Sequence, residues 1–202
     1  MTKRIRQDSF LYLLVLLPFI FLAFNPARAE IVIDGELNET EWQQAETFED
    51  FVVTRPFSLD APTYKTKVFI YSDLKGVYVG FVNQQPVETR DRRRHKRDML
   101  RQDYDRNVVV IDFDNKGNSA YMLGVSLSES LIDFTITNES DIDGDWDGEW
   151  FAKTSESEEN WYSEFFIPWT MASMNKQEGP NRKIGIATSR LIQHEAKYVA
   201  FP

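Results

Sequence analysis

Three features of this 202-residue sequence predict an antiparallel β-sandwich. Short runs of β-branched and aromatic residues recur along its length. Clusters of Asp, Asn, Gly and Pro separate those runs, and helix signals are almost absent. The expected architecture is all-β and jelly-roll-like, with one or two short helices.

The N-terminus does not belong to that fold. Lys3, Arg4 and Arg6 precede an apolar run from Phe10 to Phe24, and Ala27-Arg28-Ala29 is a small-x-small cleavage signal. This is the layout of a secretory signal peptide over residues 1–29, too short to span a bilayer. The domain is then expected over residues 30–202. Taking the leader's four basic residues and one acidic residue away from the formal charge of −9 leaves −12. So acidic a domain is unsuited to nucleic acid or anionic lipid. It contains no Cys, so an exported form must hold together through its core alone. Periplasmic, outer-membrane-associated and secreted locations all fit this reading.

Ile31-Val32-Ile33 reads as a short strand closed by the Asp34-Gly35 turn. Asn38 and Glu41 have capping-box spacing for a short helix carrying Trp42 and Ala45, with Trp42 as a plug onto the core. Residues 48–62, interrupted by Pro56 and Pro62, read as irregular. Thr66–Ser72 and Val77–Val82 are apolar nearly throughout, which predicts strands buried on both faces and joined by a tight turn at Asp73–Gly76. The basic run from Arg90 to Asp98 reads as a solvated loop. Further strands are expected at 107–112, 120–125, 131–136, 149–153, 161–167 and 182–192, with another at 197–201. One helical turn is expected after Pro168.

Catalytic chemistry finds little support. There are two His, His95 and His194, no Cys and no G-x-S-x-G motif, and no single pair stands out among the many carboxylates. The sequence therefore predicts a non-catalytic domain, either free-standing or as the binding module of a larger glycoside-active protein.

The most distinctive stretch is Asp141 to Trp150, with five carboxylates and two Trp in ten residues. Asp143, Asp145 and Asp147, followed by Gly148, have the spacing of the first half of a calcium loop. The twelfth position, however, is Thr154 instead of the usual Glu. These three Asp are candidate calcium ligands, with a solvated acidic turn as the other reading. Trp146 and Trp150, four apart, would share one face of a strand and could stack on a sugar ring, or else pack into the core. With Asp147 and Arg97 they form the candidate ligand-binding set.

The ordered motifs resemble carbohydrate-binding module family 9. They begin with Ile33-Asp34-Gly35-Glu36-Leu37-Asn38-Glu39, Trp42 and Ala45, then the 68–80 hairpin. Arg97-Asp98, Asp105, the 108–112 strand and Asp133 follow. Trp146-Asp147-Gly148, Trp150, Trp161, Glu164, Ile167-Pro168, Arg190 and Glu195 complete the series. The pattern is most similar to the N-terminal sandwich of exported bacterial proteins with a C-terminal region like an outer-membrane barrel. The resemblance implies a β-sandwich that binds poly- or oligosaccharide. The alternative is an envelope interaction module that docks on an outer-membrane barrel or another partner protein without binding sugar. Sugar-binding members hold glucan or xylan ends between two Trp. Aligned on Asp112, Gln102 falls at the first of those Trp, while Val108 and Gly124 fall at charged hydroxyl-binding positions.

Overall fold

The computed structural model describes residues 31–99, 104–138, 140–177, 179 and 181–201. The predicted leader and Gln102 lie outside these residues. Among the described residues, twelve strands form two antiparallel sheets: β1 (Glu46–Phe48), β2 (Val52–Arg55), β3 (Thr66–Ser72), β4 (Gly76–Gln84), β5 (Arg106–Asp112), β6 (Ser119–Ser126), β7 (Leu131–Thr137), β8 (Asp141–Asp143), β9 (Phe151–Glu156), β10 (Asn160–Pro168), β11 (Gly185–Ile192) and β12 (Lys197–Ala200). One sheet has the order β1-β3-β4-β10-β9, and the other β2-β12-β11-β5-β6-β7-β8. Among the described residues, the helical elements are single 3-10 turns, and no helix is long and apolar enough to cross a membrane.

Period-two alternation places Val68, Val77, Val79, Phe81, Phe165 and Ile167 of the first sheet against Val109, Ile111, Leu123, Val125 and Ile192 of the second. The uniformly apolar look of β4 has a separate cause. Its other face is also covered, because residues 31–45 lie across the outside of the five-stranded sheet. Ile31 and Trp42 pack there with Tyr71 and Tyr78. A Cβ at Gly80 would come within 2.2 Å of Leu37 Cδ2 and 3.2 Å of the Trp42 ring, so these side chains sit directly on a stretch of sheet that carries no side chain of its own.

Several local expectations change. Ile31–Ile33 forms no ladder and lies as part of this strap. The expected helix is a 3-10 turn over Thr40–Gln44 whose cap position is Glu39, with no side-chain capping bond. The Glu39 carboxylate instead accepts from the Val32 N–H and the Trp42 indole N–H. Residues 48–62 contain β2, which Tyr198, Val199 and Ala200 recruit from across the chain. The helical turn expected directly after Pro168 does not form: residues 169–172 are turn and bend.

Glu164 fastens the strap from the sheet side. It is fully buried, and one of its oxygens accepts from the backbone N–H of both Asp34 (3.0 Å) and Gly35 (2.8 Å). Burial, with the Glu39 and Asp34 charges nearby, pushes its carboxyl up to about 7, and the two backbone bonds pull against that shift. The folded protein therefore holds this proton more tightly than the unfolded chain, whose carboxyl titrates near 4.5. Its contribution to stability is complete below that value and is lost as pH rises through about 7. Urea midpoints measured across this window are expected to fall with pH for the native chain and to flatten in Glu164→Gln. Parallel curves would show that the carboxyl does not titrate there.

Candidate functional site

The loop that carries the sequence's densest chemistry is tied down from behind. Asp133, on the core face of β7, is fully buried. Its Oδ2 accepts from the Gly148 N–H at 2.8 Å and from the Trp150 indole N–H at 3.3 Å. The Arg97 guanidinium lies 2.7 Å from Asp133 Oδ1 and reaches Asp147 at 3.1 Å. Asp98 lies beside it and receives the Asp133 N–H at 3.0 Å.

This geometry assigns the Trp residues different environments. Residues 144–150 are not a strand, so the even spacing of Trp146 and Trp150 does not put them on one face. Trp150 is 5% exposed and stacks on Phe165 at 5.9 Å. Trp146 is half-buried, tilted against Tyr121 at 4.7 Å. It folds back over Gly148, where a Cβ would meet its ring at 2.3 Å. Together they plug one end of the core and form no open platform.

The carboxylates that converge are likewise not the three that the loop spacing picked out. Asp98, Asp133 and Asp147 bring ligand atoms within 4.8 Å of one another. Asp143 and Asp145 are exposed and outside that group, and the Asp145 N–H bonds the Asp143 carboxylate at 2.9 Å as a local turn. Arg97 already supplies a positive charge to the group. Burial works against its guanidinium, but the bond and charge of Asp133, with Asp98 and Asp147, outweigh this and hold it above its ordinary value. Burial, with Asp133 alongside, raises the Asp98 carboxyl.

A second constellation lies where β3 and β10 begin and β4 and β9 end. Three turns meet there around a cleft of about 740 Å³ lined by Thr63, Tyr64, Gln84, Pro86, Val87, Glu88, Glu158 and Glu159. Two buried guanidinium groups hold the turns together. Arg90 donates to the carbonyls of Gln85 (2.6 Å), Ser157 (2.7 Å) and Glu158 (3.1 Å), and to Glu156 at 3.1 Å. Arg190, fully buried, donates to Lys65 O and Gln84 O, to the Thr66 hydroxyl and to Gln85 Oε1 at 2.7 Å. Burial pushes its guanidinium down to about 9 while the Asp105 charge opposes the shift. Asp105 in turn accepts from Gln85, Asp91 N and Gln193 N. The cleft walls are thus fixed by hydrogen bonds made before any ligand arrives, which reduces the ordering cost of binding.

Sequence reasoning did not bring these lining residues together, since they come from three separate turns. The one local signal was the Ser157-Glu158-Glu159-Asn160 turn ahead of β10.

No family profile and no curated protein sequence matches the chain. Solved structures do. A carbohydrate-binding module family 9 domain from Caldicellulosiruptor kristjanssonii in complex with cellotriose superposes with a TM-score of 0.55 at 14% identity, covering 85% of this chain and 79% of that one. The module in complex with glucose gives a TM-score of 0.57, also at 14% identity, with coverage of 85% and 81%. The protein thus has the sandwich fold of the family 9 carbohydrate-binding modules. At this identity the likeness is one of fold, and function has to be argued from the site.

Proposed function

We propose that this protein is an exported, non-catalytic carbohydrate-binding module that takes a poly- or oligosaccharide in the cleft between Tyr64, Gln84 and Glu158. The observation that carries the reading is the make-up of that cleft. One aromatic ring and two short apolar side chains adjoin amide, hydroxyl and carboxylate groups on a pre-fixed frame. An apolar patch for a sugar's C–H face, ringed by hydroxyl partners, is what a saccharide site requires. The similarity in fold to sugar-bound modules supports the same reading. Export rests on the predicted leader, and places the module in the periplasm, at the outer membrane or outside the cell.

Affinity electrophoresis through gels cast with soluble glucans, xylans, chitosan and uronic-acid polymers tests this. Migration is expected to be retarded in at least one gel, and the retardation to weaken about tenfold in Tyr64→Ala, the scale of a lost stacking contact. Unretarded migration in every gel would overturn the reading. The alternative, docking on an outer-membrane barrel or partner protein, draws on the exposed Phe57 and Leu59 in the loop after β2, 81% and 55% accessible. It predicts envelope crosslinks through that loop and no response to sugars.

A further inference from the structure

We infer that the cleft selects a saccharide bearing a free amino group, a glucosamine-type unit, over its neutral counterpart. This rests on the carbohydrate reading above and adds a specificity to it. The argument is one of donor and acceptor supply. Every neutral sugar hydroxyl both gives and receives a hydrogen bond, so a site for neutral sugar must offer donors as well as acceptors. The side chains lining this cleft are strongly unbalanced toward acceptors. Glu88 stands on one wall, Glu158 and Glu159 on the other, and all three are exposed. Side-chain donors among the lining residues come from Thr63, Tyr64 and Gln84, and among the described residues no Lys or Arg lines it.

Three guanidinium groups adjoin the frame without lining the cleft, and Arg92, the exposed one, reaches the Val87 carbonyl but has its charge paired with Glu156 at 2.5 Å. Arg90 has its N–H groups directed at the carbonyls of Gln85, Ser157 and Glu158 and at Glu156. Arg190 is fully buried, with its terminal nitrogens on Lys65 O, Thr66, Gln84 O and Gln85. Both hold the cleft from behind and present no positive charge to a ligand. Lys65 and Lys67 line the neighbouring groove, where Lys67 pairs with Glu49 at 2.6 Å. An occupant of the acidic cleft must therefore be rich in N–H and carry positive charge. The Tyr64 ring and the Pro86 and Val87 side chains ask, in addition, for an apolar ring face. An amino sugar meets both demands in one pyranose. Its ammonium supplies three donors and the charge, and its C–H face meets the apolar wall.

The test is calorimetric titration of the full chain with a β-1,4-glucosamine hexamer, the N-acetylglucosamine hexamer, cellohexaose and spermine. The glucosamine hexamer is expected to bind about tenfold or more tightly than cellohexaose at low salt. The preference should collapse at about 0.5 M salt, where charges are screened over a few ångströms. It should also disappear in the Glu88→Gln/Glu158→Gln/Glu159→Gln variant, whose changes lie on exposed side chains and whose melting temperature serves as the folding control. Binding of either the N-acetylglucosamine hexamer or cellohexaose as tightly as the glucosamine hexamer would overturn the specificity and leave the carbohydrate reading standing. Binding by none of the saccharides would overturn both. Spermine binding more tightly than the glucosamine hexamer would mark a simple polycation site and overturn the proposal.

Discussion

Arg190→Met is expected to lower the unfolding free energy by about 3–5 kcal/mol, the cost of leaving several buried acceptors without their charged donor. The side chain removed is fully buried and lies over the Trp161 ring at 5.8 Å. Its loss takes the bonds from two carbonyls, a hydroxyl and the Gln85 amide oxygen, and removes a positive charge that favours the ionised form of the buried Asp105. Volume is nearly conserved, so cavity formation is a minor part of the loss. Adding Asp105→Asn should restore a measurable part of it, because the double variant buries neither charge. Urea denaturation of the three proteins reads this directly. A single-variant loss below about 1 kcal/mol would show that Arg190 is not the member holding the three turns together.

Asp133→Ala carries the second large effect, about 3–4 kcal/mol, from two orphaned N–H groups and the lost bond to Arg97, which keeps Asp147 as a partner. Its carboxylate is where the Gly148 backbone, the Trp150 indole and the Arg97 guanidinium all end. Asp133→Asn keeps an acceptor for the two N–H donors and should cost roughly half as much. The alanine variant should also shift Trp emission to the red in the native baseline, as Trp150 loses its anchor and meets water. An unshifted spectrum with unchanged stability would mean that the 144–150 loop is held by the packing of Trp146 and Trp150 alone.

These two residues mark how far the sequence could be read. The strands at 66–72 and 131–137 were legible because apolar side chains and turn residues mark their limits locally. β2 was not, since Val52–Arg55 is a strand only where β12 completes its ladder. The capping-box reading of Asn38 and Glu41 failed for a similar reason. Glu39 is drawn to Val32 and Trp42 by the strap's contact with the sheet, and the turn begins one residue later.

The acidic stretch shows the same division. Its composition was plain, but spacing along the chain treats Asp143, Asp145 and Asp147 as equivalent. The fold places Asp147 beside Arg97 and leaves the other two exposed. Nothing local in Asp133, in the middle of β7, marked it as the group on which Trp150 and Gly148 depend. The acidic cleft was less legible still, because Tyr64, Gln84, Glu88 and Glu158 become neighbours only where three turns are drawn together by Arg90 and Arg190.

By itself, then, the sequence determined the sandwich, because alternation, turn chemistry and apolar runs are properties of neighbouring residues and set which faces can be buried. The tertiary structure alone decided which polar groups would be buried and which would meet solvent. A buried Asp or Arg is made tolerable by partners from distant strands, and those partners are chosen by sheet order and register. That is why Trp146 and Trp150 became a plug, and why the residues we assign to ligand binding lie on turns that no local pattern connects.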